Sequence, residues 1–390
     1  MAFFRDKVGV EGGYVWKYSA DLSKREGEGK VGPRTVWVQP PGTPFVGEAF
    51  VEIHELTGDR RYLEAAKESA QVLLRGQLRS GGWAARIELD PEERRRFAYR
   101  IDPEPRRNAR NHTALDDDMT QSALRFLMRY DRATSFGDAA VHEAVKIALE
   151  SLLAAQYPNG AWPQGYADVS KRPERPVRRA GYDPEGEYPK VKEYWDFYTL
   201  NDGVMKDVID TLLIASRVYD EKRYREAALR GGEFLLLAQM PDPQPAWAQQ
   251  YDFDMQPAWA RRFEPPAISG GESQGVLEAL LDLFDETGDR KWLEPVPRAI
   301  AYLRRSLLPD GRLARFYELR TNRPLYFTRE YELTHDDSDV PTHYSFKVTS
   351  RLDRIEARLE RLVERADREA ARREPEPERS APDRTTSDRR

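Results

Sequence analysis

Apolar residues first fall at helical spacing just after Thr43. Across residues 44–56, Phe45, Ala49, Phe50, Ile53 and Leu56 recur every three or four positions, which predicts one buried face of an amphipathic helix. TGDRR then reads as a turn, and residues 62–77 repeat the spacing with Leu63, Ala66, Ala70, Leu73 and Leu74 before LRSGGW closes the unit at Trp83. The same order of helix, turn, helix and Gly/Trp loop returns three times. Residues 116–133 and 142–156 end in YPNGAWPQ, residues 201–219 and 224–239 end near Trp247, and residues 272–286 and 292–307 end in LPDGR. The turn strings TGDRRYL, DEKRYRE and TGDRKWL keep these units in register.

Helix pairs repeating at about 70 to 85 residues suit an α/α toroid, in which one helix of each pair lies inside and its partner outside. A stacked solenoid of helix hairpins is the alternative, with a usual repeat nearer about 34 to 47 residues. The fold expected is therefore all-α, an α/α toroid with long irregular loops and few short strands, over residues 1–346. Residues 1–42 interleave Gly, Pro and charge with aromatics, as an extended segment laid over the body would. After Tyr317 a strand-containing closing loop is expected, then a charged amphipathic helix at 347–371 with Leu352, Ile355, Leu359 and Leu362 on its apolar face. Residues 372–390 hold too little apolar content to fold.

Composition narrows the chemistry. A hydrophobic share of 39% supplies a core, and 11% aromatic residues leave rings for a cleft. The absence of Cys excludes disulfides, thiolate metal sites and thiol nucleophiles. Only five His, none in HExxH or HxH spacing, argue against a His-rich zinc site. A net charge of −5 gives no case for nucleic acid, and the apolar runs are too short to span a bilayer. The N-terminus shows no signal-peptide pattern.

Each later inner helix opens on a polar cluster: Asp116, Asp117 and Asp118, then Asn201 and Asp202, then Glu272 and Ser273. Such residues are ordinary helix caps, yet one cap needs one residue. Three consecutive aspartates repel one another unless a hard, oxygen-liganded cation or a basic partner neutralises them. Arg261 and Arg262 lie just upstream of the Glu272 helix, and Arg315 and Arg323 follow the last one. Guanidinium forks beside acid clusters and aromatic rings form a place where an acidic sugar could bind. The loops at 86–112 and 172–195 are long enough to be functional or disordered.

These same residues carry a family resemblance over roughly residues 12–327. LDDDMTQSALRFL resembles IDNDATTTQLRFL of the family 10 polysaccharide lyases, the α/α-toroid pectate lyases. YPNGAWPQGY resembles their YPNGGWPQ loop, YTLNDGVM their ITFNDNAM, QPAWARRFEPPAISGGES their PAWARAFEPPSLSGSES, and RFYELRTNRPLYF their closing segment. Asp117 stands where the family has Asn, and Arg262 where it has a small residue.

The resemblance implies anti β-elimination on polygalacturonate or a related acidic polysaccharide, giving 4,5-unsaturated products. It implies Ca²⁺ held by Asp116 and Asp118 and Arg261 as the base that removes the C5 proton. Asn201, Asp202, Arg262, Glu272, Arg315, Arg323 and Trp162 are the expected substrate contacts. A secreted or periplasmic location is expected, with any leader absent from this sequence. Two other readings stay open: a toroid glycoside hydrolase using paired carboxylates, and a non-catalytic polysaccharide-binding protein.

Overall fold

The computed structural model describes residues 1–169 and 175–373. α1 (Thr43–Thr57) and α2 (Arg60–Gly76) form the first helix pair, and α3 (Pro91–Arg94) is a single turn in the loop beyond it. α4 (Met119–Ala133) pairs with α5 (Ala139–Ala154), α6 (Val204–Tyr219) with α7 (Lys222–Leu237), and α8 (Gly270–Thr287) with α9 (Val296–Arg305). α1, α4, α6 and α8 lie side by side as the inner row, each backed by its outer partner. This is the toroid the periodicity predicts.

The repeated turn string works by capping. In TGDR the glycine ends one helix in the left-handed region, at φ 70° for Gly58 and 69° for Gly288. The next residue, Asp59 or Asp289, then accepts backbone N–H bonds at the start of the following helical segment.

The Gly/Trp loops share one structural role. Trp83, Trp162 and Trp247 are each fully buried, and each indole Nε1–H donates at 2.8 Å to a carbonyl of its own outer helix, at Leu73, Leu152 and Leu235. Gln77, Gln156 and Gln239 complete the arrangement. Each carboxamide donates to a carbonyl of its own loop and to one in the next outer element, at Ala144, Ala227 and Pro295 respectively. The units are thus pinned in sequence by buried and part-buried hydrogen bonds, which are costly to leave unmade. Trp162, expected as a substrate contact, is therefore part of the core.

Gly160 of YPNGAWPQ sits at φ 92°, and a Cβ there would collide with the Arg230 carbonyl of α7. Gly160→Ala is expected to destabilise the fold by about 3 kcal/mol, read as a lower urea midpoint at constant m.

A short antiparallel strand pair marks the same end of every unit. Thr35–Trp37 enters α1 and pairs with Arg86–Glu88, and Thr113–Ala114 leads towards α4 and pairs with Gly165–Tyr166. Tyr198–Thr199 leads towards α6 and pairs with Gln250–Tyr251, and Ala267–Ser269 enters α8 and pairs with Phe316–Glu318. The last pair extends through Pro324–Phe327 and Leu333–Thr334 into the closing sheet expected after Tyr317. The beginnings of all four inner helices therefore gather at one mouth of the toroid.

Two departures from the periodicity stand out. Phe45 and Leu56, expected on the buried face of α1, are exposed, while Phe50, Val51 and Gly47 are buried. α1 stands at the end of the inner row with α4 as its neighbour there, so one flank is uncovered. At the other end, α10 (Leu352–Arg373) packs on α8 and α9 through buried Leu352, Ile355 and Leu362. Arg354, Arg358 and Arg365 of α10 pair with Glu278, Asp282 and Asp285 of α8, a ladder of ion pairs along the seam. The tail expected to be unfolded lies outside the described residues from 374 onward.

Candidate active site at the paired left-handed turns

Two short 3₁₀ turns at the mouth, Asp116–Asp118 and Asn201–Gly203, face each other where α4 and α6 begin. They share an unusual backbone. Asp117 and Asp118 have φ of 48° and 60°, and Asp202 and Gly203 have 50° and 77°. Aspartate and glycine tolerate this left-handed region better than most residues, which is why these types occupy it. The kink separates each 3₁₀ turn from its α-helix. Carboxylate oxygens of Asp116, Asp117 and Asp202 consequently lie within 4.8 Å of one another.

Asp118, expected as a cation ligand, points elsewhere: it pairs with Arg125 of α4, near Asp207 of α6. The third carboxylate of the cluster is Asp202, contributed by the other turn. The reason is geometric, since Asp117 matches Asp202 in backbone conformation while Asp118 matches Gly203.

The three carboxylates are held by polar neighbours. Gln164 donates to Asp116 Oδ2 at 2.9 Å, Gln39 to Asp117 Oδ2 at 2.7 Å and Asn201 to Asp202 Oδ2 at 2.8 Å. Burial and the like charges of Asp202 and Asp117 push the Asp116 carboxyl up to about 9 against the opposing Arg261, and Asp117 rises to about 6 for similar reasons. Asp116 Oδ1 and the neighbouring Asn201 Oδ1 are buried oxygens without a hydrogen-bond partner. Clustered carboxylates with orphaned oxygens beside them fit a hard cation, whose preference is for oxygen ligands.

Arg261 bridges this cluster to a second acid. Its Nη2 donates to Asp116 Oδ2 at 3.2 Å, and its backbone N–H donates to Glu264 Oε2 at 2.9 Å. Burial disfavours the cation, but the carboxylates of Glu264, Asp116 and Asp202 outweigh it and hold the guanidinium protonated. Tyr344 donates to Glu264 Oε1 at 3.2 Å, and its ring lies 4.9 Å beneath the Arg315 guanidinium. Arg315 also approaches Glu272 at 3.7 Å and acts on Asp202 and Asp117 across the site.

Of the residues singled out in the sequence, Asp116, Asn201, Asp202, Arg261 and Arg315 come together here. Glu272 sits at the edge, in the first turn of α8: its backbone N–H donates to the Ser269 hydroxyl, which donates in turn to its carboxylate. Arg262 turns away, its Nη2 donating to the Glu330 carbonyl at 3.2 Å and its guanidinium lying over Tyr331. Arg323 is exposed at the turn of the closing hairpin.

Sequence reasoning missed Gln39, Gln164, Glu264 and Tyr344, and it named Asp117 in the acid cluster without choosing it as a ligand. Glu264 was within reach as the acid three residues after Arg261. Partly buried Trp259, two residues before Arg261 in sequence, packs on Phe327 with the Lys190 ammonium 4.0 Å from its ring. Gln39 and Tyr344 carry no local signal, because each reaches its partner from about eighty residues away along the chain.

An open ring of helix pairs with its polar cluster at the mouth where the inner helices begin is the build of the α/α-toroid enzymes. The profile of the pectic acid lyases matches residues 91–313, more than half of the chain, and the chain belongs to that family. It is a polysaccharide lyase. Solved structures agree on the fold. The family 10 polysaccharide lyase from Cellvibrio cellulosa is 22% identical, covering 81% of this chain and 97% of its own with a TM-score of 0.53. An aspartate-to-alanine variant of a Cellvibrio cellulosa family 10 lyase, in complex with trigalacturonic acid, is likewise 22% identical, covers 82% and 98%, and scores 0.57. A D-mannose isomerase shares the toroid more distantly, at 15% identity, 81% and 71% coverage and a TM-score of 0.51. No curated protein matches the chain in sequence.

Proposed function

We propose that the protein is a calcium-dependent pectate lyase that cleaves polygalacturonate, or a closely related uronan, by anti β-elimination. The observation that carries this reading is the placement of Arg261 against three mutually close carboxylates, Asp116, Asp117 and Asp202. The trigalacturonic acid bound to the Cellvibrio relative supports an acidic galacturonide as substrate.

The chemical difficulty is a weakly acidic C5–H. Asp116, Asp117 and Asp202 would hold a cation such as Ca²⁺, which would supply positive charge to neutralise the C6 carboxylate and stabilise enolate-like charge. In this reading Arg261 takes the C5 proton; a cation at Asp116 and Asp202 would offset two of the three carboxylates that hold its proton, leaving Glu264 as the third. Glu264, fixed by Tyr344, keeps the guanidinium aimed at the cluster. Arg315 offers a second cation to the uronate carboxylate. As the C4–O bond breaks, its electrons leave with the departing oxygen, which takes a proton from solvent.

The hydrolase reading is disfavoured by the family match, which is to the pectic acid lyases.

Incubation with polygalacturonate is expected to raise ultraviolet absorbance from the new C=C bond, to stop on chelation and to resume with added calcium. New reducing ends without absorbance would reject the elimination.

A further inference from the structure

We propose that the slot between the strand Arg86–Glu88 and the segment 97–112 is a subsite for a uronate residue of the substrate chain, its carboxylate received by Arg110 and Arg86. The inference rests on the uronan-lyase reading and extends it to a part of the surface which that reading does not use.

The slot has a volume of about 640 Å³, with Trp37, Phe97 and Met119 among its apolar lining and Arg86 and Arg110 among its polar lining. Arg86 and Arg110 also line an adjoining cleft of about 390 Å³ that adds Arg96 and Arg106. The slot adjoins the carboxylate cluster. Trp37 donates through Nε1 to Gln39, Gln39 donates to Asp117, and Met119 directly follows Asp118. A polymer threaded through the mouth would pass from one to the other.

The charges in the slot are not all spoken for. Arg86, Arg96 and Arg106 each have a carboxylate partner, in Glu88, Glu93 and Glu92. Arg110 has no acidic partner among the described residues; its guanidinium lies 5.9 Å from the Phe97 ring. Its backbone is held, bridging Phe97 with its N–H donating to the Arg96 carbonyl at 2.8 Å, while the side chain is exposed. A guanidinium above an apolar floor matches a ring that presents C–H faces on one side and a carboxylate on the other. A uronan carries such a carboxylate on every residue, so a unit beside the one being cleaved would meet this cation.

The test compares Arg110→Ala, Arg110→Lys and Arg107→Ala, the last being an exposed arginine of the same loop that lines neither cavity. For Arg110→Ala, KM on polygalacturonate is expected to rise about tenfold with kcat within about twofold, as loss of one charge-assisted hydrogen bond implies. Lysine should recover part of the KM, and Arg107→Ala should stay within about twofold of wild type. An unchanged KM in Arg110→Ala, or an equal rise in Arg107→Ala, overturns the subsite. If the wild-type protein turns over no uronan, the lyase reading fails by itself. Calorimetric titration with trigalacturonic acid then decides the slot: weaker binding in Arg110→Ala upholds it, and equal or absent binding removes it.

Discussion

Arg261→Ala is expected to lower kcat on polygalacturonate by about 10³-fold or more, with KM changed by less than about fivefold. Loss of a positioned general base costs about 10² to 10⁴ in rate, and this side chain also opposes the charge of Asp116 and Asp202. The folded state should survive, because Arg261 is partly exposed and its clamp partners Glu264 and Asp116 keep other hydrogen bonds, from Tyr344 and Gln164. Arg261→Lys separates charge from geometry. One ammonium restores a cation but cannot span Asp116 and Glu264 as the fork does, so activity should stay within about tenfold of the alanine variant. The check is steady-state absorbance together with thermal melts of all three proteins. Turnover of the alanine variant within tenfold of wild type would remove Arg261 from the role of base.

Much of the fold is legible in the chain because its signals are local. TGDR turns name their own caps, and the apolar spacing names the helices. The Gly/Trp loops show that a repeat exists but not what it does: only the bonds from Trp83, Trp162 and Trp247 to their outer helices reveal these rings as plugs of the core. Phe45 and Leu56 look buried by spacing alone, since the pattern cannot tell that α1 is the end of a row. The site is half legible for a similar reason. Asp116, Asp202 and Arg261 sit in recognisable strings, but the choice between Asp117 and Asp118 depends on backbone turns of φ 48° and 60° that composition does not encode. Gln39 and Tyr344 arrive from segments remote in sequence, where nothing nearby marks a glutamine or tyrosine as part of a cluster.

That choice of aspartate leads to the second large effect. Asp202→Asn is expected to abolish the calcium response and to lower activity about 100-fold or more, whereas Asp118→Asn should leave the response intact and chiefly weaken the fold by unpairing Arg125. The metal-free protein gives a second readout through pH. Asp116, raised to about 9, and Asp117, raised to about 6, bind protons in the fold that the unfolded chain has released above about pH 4. Chelated wild type should therefore lose stability as pH rises from about 4 towards about 9, and the effect vanishes below that window, where both states are protonated. A cation takes the place of those protons, so the rise in Tm on adding calcium should be larger at pH 8 than at pH 5, reaching about 3 °C at a hundredfold excess over Kd. Chelated Asp202→Asn, freed of one like charge, should melt above chelated wild type at pH 8. A calcium shift that survives Asp202→Asn but disappears in Asp118→Asn would instead place the ion on the α4 side of the turn, with Asp118 as its ligand.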